Sequence, residues 1–374
     1  MYKKGKVKVK IHYFRVGMAL FLLVLVIWGV SSVISSLVKR EDKQSAKLMN
    51  SSSSILDSSS PDNTDIEPVE PLPAVFYPIL TENTSEFYPD LLTSATEPTL
   101  NSSEEQQRLN NSLYAIIIDT ETNEIVAQHD YNVKMYPASL TKVMTLIVVM
   151  DYINNRDISA LDERVTIKDN MVTPMIQAQA SRAGFVVGET PTVRDLIYGL
   201  ILPSGADAAI ALAEYVAGSE AAFVRLMNEK AAEIGLKYTH FQNPVGLHSE
   251  QNYSTAEEMA MLLNYAIQDD FCKQVLSTYQ YTVPPSAQNP EGIVLTSTMF
   301  GRMKGDEMPG VVVKGGKTGF TSEAGQCLAS FAEINGKTYI MVLAGGISKW
   351  KTIYETLSGY SVFCYGGEEY IPPA

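Results

Sequence analysis

Ser139-Leu140-Thr141-Lys142 sets a hydroxyl and an amine three positions apart in the chain. Residues three apart share a helical face, so a helix beginning at Ser139 puts both side chains within reach of each other. A serine hydroxyl is a weak nucleophile until a base takes its proton. A lysine among Val143, Met144, Leu146 and Ile147 sits where burial disfavours its charge and readies it for that task. The pair reads as nucleophile and general base. The plainer alternative is a serine helix cap followed by a surface lysine, and the tetrad alone is too short to choose.

Two further groups bear on that choice. Ser204 lies in Leu202-Pro203-Ser204-Gly205-Ala206-Asp207, between two apolar helical stretches, where taken alone it is an ordinary helix cap. Lys314-Gly315-Gly316-Lys317-Thr318-Gly319-Phe320-Thr321 places a cation and a hydroxyl directly before strand-like sequence, among glycines that permit close approach of a substrate backbone. A Gly-rich turn is the alternative. A phosphate-binding loop is disfavoured, because the spacing is wrong and a strand rather than a helix follows.

The elements that must position these groups are legible from about Ser112. Leu113 to Thr120 and Glu124 to His129 read as a β-hairpin with Asn123 near its turn. Leu140 to Ile153 is apolar and of helical length. Thr192 can cap a helix running through Leu200, and Ala206 to Ala217 is a second, Ala-rich helix. Ser254 to Ile267 opens close to a capping box. Gln326 to Glu333, Lys337 to Leu343 and Ser361 to Tyr365 read as strands, the first two joined by an Asn335-Gly336 turn. Strands at both ends with helices between imply an α+β domain whose first and last strands share one sheet.

Composition narrows the function classes. The 374-residue chain has a net charge of −13, unevenly spread: residues 1–40 carry eight Lys/Arg and no Asp/Glu, and residues 41–108 carry three and thirteen. An acidic body without a basic stripe excludes phosphate-backbone recognition, so no nucleic-acid partner is expected. Three scattered cysteines and four histidines argue against a disulfide scaffold, a Cys-x-x-Cys zinc site and a multi-His metal centre. Cys272, Cys327 and Cys364 are read as buried thiols or as one pair plus a thiol.

Val16 to Val38 runs for 23 residues without a charge, behind a basic tail of residues 1–15. That length spans about 30 Å of hydrocarbon, and the excess of Lys/Arg before it orients the amino terminus to the cytoplasm. A single-pass anchor is favoured over a cleaved signal peptide, because no A-x-A site follows the apolar stretch. Residues 39–108, rich in Ser, Thr, Pro, Asp and Glu, read as a disordered extracytoplasmic stalk with a reach of roughly 40–50 Å. The catalytic domain is expected over residues 109–367, with residues 368–374 as a tail.

The order and separation of the three groups resemble the serine D-Ala-D-Ala carboxypeptidases, low-molecular-mass penicillin-binding proteins related to class A β-lactamases. Tyr136-Pro137-Ala138-Ser139, the Thr192-Val193-Arg194-Asp195-Leu196 lead into Leu202-Pro203-Ser204-Gly205, and Asn243-Pro244-Val245-Gly246-Leu247 before Ser254-Thr255-Ala256 extend the likeness over roughly residues 110–367. The resemblance implies a β-lactamase/transpeptidase-like fold, an antiparallel sheet flanked by helices with a helical subdomain. It also implies that Ser139 attacks the carbonyl between two D-alanines, with Lys142 as general base and Ser204 relaying a proton to the leaving D-alanine. Lys317, Thr318 and Gly319 would bind substrate, and the backbone N–H groups of Ser139 and Phe320 would form the oxyanion hole. Peptidoglycan stems ending in D-Ala-D-Ala would be the substrate and β-lactams the covalent inhibitors, and the resemblance implies no metal or organic cofactor.

One position departs from the pattern. The family's middle motif is usually Ser-x-Asn, whereas the third residue here is Ala206, which offers no amide. The expectation is retained acylation with slower turnover. A catalytically impaired stem-binding protein is the alternative from a different class. A β-lactamase is a weaker one, since no convincing Glu-x-x-x-Asn element supplies a deacylating base.

Overall fold

A computed structural model describes residues 99–100 and 112–372, apart from 304 and 307. The expected anchor and most of the expected stalk lie outside these residues. Among the described residues no helix is long and apolar enough to cross a membrane.

Three long strands follow one another late in the chain: β6 (Val312–Thr321), β7 (Gly325–Ile334) and β8 (Lys337–Gly346). They join the early hairpin, β2 (Tyr114–Asp119) and β3 (Glu124–His129), in a six-stranded sheet of order β1-β3-β2-β8-β7-β6. Every pairing is antiparallel except that of β1 (Thr99–Leu100), which runs parallel to β3. The expected sharing of one sheet by the two ends of the domain holds through β2 and β8, with Ile117 opposite Met341. Thr99 and Leu100 fall inside the segment expected to be stalk, and here they extend the sheet.

Both faces of this sheet are covered, which explains why Ala115, Ile116, Ile117 and Ile118 form an unbroken apolar run instead of an alternating one. Ile116, Ile118, Ile340 and Val342 face the main helical core, while Ala115, Ile117, Met341 and Leu343 pack against Tyr360 on the other side. The helical core is built on α1 (Thr141–Asn154), α2 (Asp169–Gln177), α3 (Val193–Ile201), α4 (Ala206–Ala217), α5 (Glu220–Ile234), α6 (Ala256–Ala266) and α7 (Asp270–Leu276). Helix α1 is buried on nearly every side, as its almost continuous apolar sequence requires. Thr192 caps α3 in a reciprocal box with Asp195, as its sequence implies. At α6 the cap is Thr255, one residue beyond the expected start, accepting from the Glu258 N–H.

A small hairpin of β4 (Gln280–Val283) and β5 (Ile293–Thr296) leads to the single turn α8 (Phe300–Met303). The opposite face of the sheet carries α9 (Lys349–Gly359). Ser361 to Tyr365, expected as a strand, is instead a wide helical turn continuing from α9 and ended by Gly366 at φ +78°. Its apolar residues bind it there: Tyr360 is fully buried and its hydroxyl donates to the Ser330 carbonyl at 2.9 Å. A short apolar run fits either a strand or a buried helical segment, and the helix before it decides.

Helix α1 follows directly on the turn that holds Ser139 and carries Lys142, so its packing is the support most open to test. Leu146→Ala removes a fully buried side chain from it. Urea unfolding should show a loss of about 2–5 kcal/mol; a loss below about 0.5 kcal/mol would contradict this placement of α1.

Candidate active site

Ser139 sits in the 3₁₀ turn Ala138–Leu140 that feeds directly into α1. Ala138 adopts φ +47°, a left-handed conformation that costs an alanine about 1–2 kcal/mol. Lys142, one turn along, reaches back so that its Nζ donates to Ser139 Oγ at 3.1 Å and to the Val245 carbonyl at 2.6 Å. The amine is buried, and burial brings its pKa down to about 7, with the charge of Asp207 partly opposing the shift. A surface lysine would keep its ordinary value, so the alternative of a solvated first-turn lysine is excluded.

The Val245 carbonyl belongs to a loop whose role was not evident from the sequence. Asn243 Oδ1 accepts from the backbone N–H groups of Val245, Gly246 and Leu247, and its amide donates to the Leu247 carbonyl at 3.0 Å. Pro244 offers its carbonyl to Thr145 Oγ1 at 2.7 Å, fastening the loop to α1. Gly246 has φ +80°, and a Cβ there would lie 2.0 Å from the Ala138 carbonyl oxygen. The segment Asn243 to Leu247 thus props both the nucleophile's turn and its base.

Ser204 follows the end of α3 at φ +65°. It caps nothing: the N-cap of α4 is Gly205, without a side-chain bond. Its Oγ is buried and, among the described residues, meets no hydrogen-bond partner. A buried hydroxyl without a partner is uncommon and sets Ser204 apart from an ordinary helix cap. Ala206 is fully buried, and its N–H donates to the Ser181 carbonyl at 2.7 Å. Asp207 turns toward the preceding loop, accepting from the N–H groups of Ala183, Gly184 and Phe185 at 2.8, 3.0 and 3.2 Å.

Lys317, Thr318 and Gly319 lie inside β6, not ahead of a strand as expected, and β6 is the edge of the sheet. A Cβ on Gly319 would lie 3.0 Å from the Ser139 nitrogen and 3.1 Å from the Pro137 carbonyl oxygen. Glycine therefore lets the strand lie against the nucleophile's turn. Phe320 comes next, with its ring exposed. Lys317 is fully buried, and its Nζ donates to the Thr318 carbonyl at 2.7 Å. Burial, followed by the charges of Lys142 and Arg302, pushes its amine well below the usual lysine range. Thr318 Oγ1 is 2.6 Å from Thr298 Oγ1, and the Thr298 N–H donates to the Leu202 carbonyl at 2.9 Å. Thr298 thus ties β6 to the loop that carries Ser204.

Lys142 meets Ser139, β6 lies against the turn that carries Ser139, and Thr298 links Thr318 to the carbonyl two residues before Ser204. That arrangement suits acyl transfer through a covalent intermediate. Among the described residues no three His, Cys, Asp or Glu side chains form a group able to hold a metal ion. The three cysteines are free thiols, with Cys272 and Cys327 buried.

Comparison with known proteins agrees with this chemistry. A family profile described as D-alanyl-D-alanine carboxypeptidase matches residues 101–347. The D-alanyl-D-alanine carboxypeptidase DacF of Bacillus subtilis is 32% identical over 236 residues, covering 62% of this chain and 56% of that protein. A D-alanyl-D-alanine carboxypeptidase of Streptomyces sp. strain K15 is 36% identical over 210 residues, covering 54% and 69%. The chain spans about half the length of several of the curated relatives it matches. Among solved structures, a substituted Streptomyces K15 DD-transpeptidase superposes with a TM-score of 0.61 at 27% identity, covering 69% of this chain and 98% of that one. The D-alanyl-D-alanine carboxypeptidase of Mycobacterium tuberculosis H37Rv gives 0.59 at 25% identity, covering 70% and 93%.

The loop from Asn243 to Leu247 yields a prediction independent of substrate. Gly246→Ala strains a left-handed position and drives a methyl into the Ala138 carbonyl. Acylation of Ser139 by a serine-directed probe should slow at least about tenfold in protein that still folds. An unchanged rate would show that this loop does not position the nucleophile.

Proposed function

Because the chain belongs to the D-alanyl-D-alanine carboxypeptidase family, we propose that it removes the terminal D-alanine from peptides ending in D-Ala-D-Ala. The observation that carries the reading is the contact between Lys142 Nζ and Ser139 Oγ, 3.1 Å apart, with the amine buried and its pKa near 7. A base of that pKa is neutral in a large fraction at physiological pH and can take the serine proton as Oγ attacks the penultimate carbonyl. The carbonyl carbon becomes tetrahedral, and its oxygen takes the negative charge. Backbone N–H groups of Ser139 and Phe320 would stabilise that oxygen, each such donor being worth about 3 kcal/mol in the transition state.

Collapse of the intermediate breaks the peptide bond. The leaving nitrogen needs a proton, which passes from Lys142 by way of the Ser204 hydroxyl. Water then attacks the acyl-enzyme, releases the shortened peptide and restores Ser139. Lys317 and Thr318 receive the substrate's terminal carboxylate. Burial, followed by the charges of Lys142 and Arg302, pushes Lys317 toward its neutral form, and a carboxylate paired with its ammonium would oppose that shift. A β-lactam carbonyl entering the same position would acylate Ser139 covalently.

The substrate class in this reading is the peptide stem of peptidoglycan, reached from outside the membrane. Residues 16–38 would anchor the chain with its amino terminus cytoplasmic, and residues 39–108 would give the domain its reach. The stem-binding alternative is not favoured by the named relatives. The β-lactamase reading likewise gains no support from them.

The reading is tested by D-alanine release from a diacetyl-Lys-D-Ala-D-Ala peptide. The wild-type protein should release D-alanine, and Ser139→Ala should lower the rate by at least about a thousandfold. Release that persists in the Ser139→Ala protein would remove the assignment.

A further inference from the structure

We infer that Thr298 is a positioning residue for recognition of the free terminal carboxylate of the substrate, an inference that rests on the carboxypeptidase reading above. Thr298 lies outside all three sequence groups, in the link between β5 and α8. Its backbone is pinned, because its N–H donates to the Leu202 carbonyl at 2.9 Å, and that carbonyl lies two residues before Ser204. The neighbours on either side are pinned as well. The Ser297 N–H donates to the Tyr279 carbonyl at 2.8 Å, and a Cβ on Gly316 of β6 would lie 2.9 Å from Met299 Sδ. The hydroxyl of Thr298 is therefore held in place against β6, where it meets Thr318 Oγ1 at 2.6 Å.

Proton counting gives this contact its meaning. Each threonine hydroxyl has one proton to donate and lone pairs that accept. Within the pair, one hydroxyl must donate to the other. A carboxylate brings no proton, so Thr318 can bond to it only by donating its own. Thr318 then has none left for Thr298, and Thr298 must be the donor within the pair. With a carboxylate bound, Thr298 therefore donates within the pair, and its contact with Thr318 Oγ1 supports the orientation in which the Thr318 proton faces the anion.

The surroundings suit an anion. Thr318 is buried while Thr298 is only partly so, which places the pair at the wall of the site. Lys317 adjoins Thr318 in the chain, and the charge of Arg302, one helical turn beyond Thr298, reaches Lys317. By contrast Lys349 and Lys351, the cations that follow Gly345-Gly346, are exposed, and Lys349 lies 5.4 Å from the centre of the Trp350 ring.

The test compares acid and ester. The full-length wild type, Thr298→Val and Thr298→Ser proteins are assayed on a D-Ala-D-Ala peptide and on its C-terminal methyl ester. In parallel, they are assayed for acylation by benzylpenicillin and by its methyl ester. Thr298→Val should lose about tenfold of its preference for the free acid, through KM more than kcat, with ester rates unchanged. Thr298→Ser should keep the preference. An unaltered preference in Thr298→Val, or equal losses on acid and ester, would overturn the inference, the second result marking a merely structural role. If the wild type releases no D-alanine yet is acylated by penicillin, the carboxypeptidase reading fails while the penicillin pair still decides the role of Thr298. If neither reaction occurs, both fall together.

Discussion

The ammonium of Lys142 is excluded from water, and the rest of the site is arranged around that constraint. The shift from 10.5 to about 7 means that the ammonium has lost about 5 kcal/mol of the advantage over the neutral amine that it has in water. A fold keeps such a group buried only if its polar atoms are satisfied, and here the Val245 carbonyl and Ser139 Oγ meet them. The Val245 carbonyl is in turn held by Asn243, and the turn that carries Ser139 is held by Gly246 and Gly319. The helix supplies burial, the loop supplies the acceptor, and the edge strand closes the third side.

A second buried amine follows from the first. Lys317 sits close enough for the charge of Lys142 to act on it, and two nearby ammonium groups in a dry site disfavour each other. Both amines are thereby shifted toward the neutral form, the form in which Lys142 could take the Ser139 proton. In the proposed reaction a substrate carboxylate beside Lys317 would favour its ammonium. The two lysines can then divide the work, one holding the anion and one moving the proton.

Much of this was legible in the sequence because it depends on local pattern. The Leu140 to Ile153 run, the Thr192 cap, the Asn335-Gly336 turn and the early hairpin all depend on neighbours within a few residues, and each is present. The spacing of Ser139 and Lys142 was enough to bring them together. What escaped depends on distant contacts. Asn243 and Gly246 act through atoms about a hundred residues away, at Lys142 and Ala138. Thr298 matters only because β6 runs beside it. The turn at Ser361 to Tyr365 reads as a strand until Ile353, Leu357 and Tyr360 are seen as one helical stripe beneath the sheet. Ser204 looked like a cap, and only its left-handed backbone and unpartnered hydroxyl distinguish it from one.

The central claim is that buried Lys142, with its pKa brought down to about 7, is the base for Ser139. The most direct measurement is the rate of acylation of Ser139 by benzylpenicillin as a function of pH. Protonation below pH 7 removes the base, so the rate should rise with pH to half its maximum near pH 7, roughly tenfold between pH 6 and pH 8. A profile that is flat across this range, or that reaches half its maximum only near pH 10, would contradict the account.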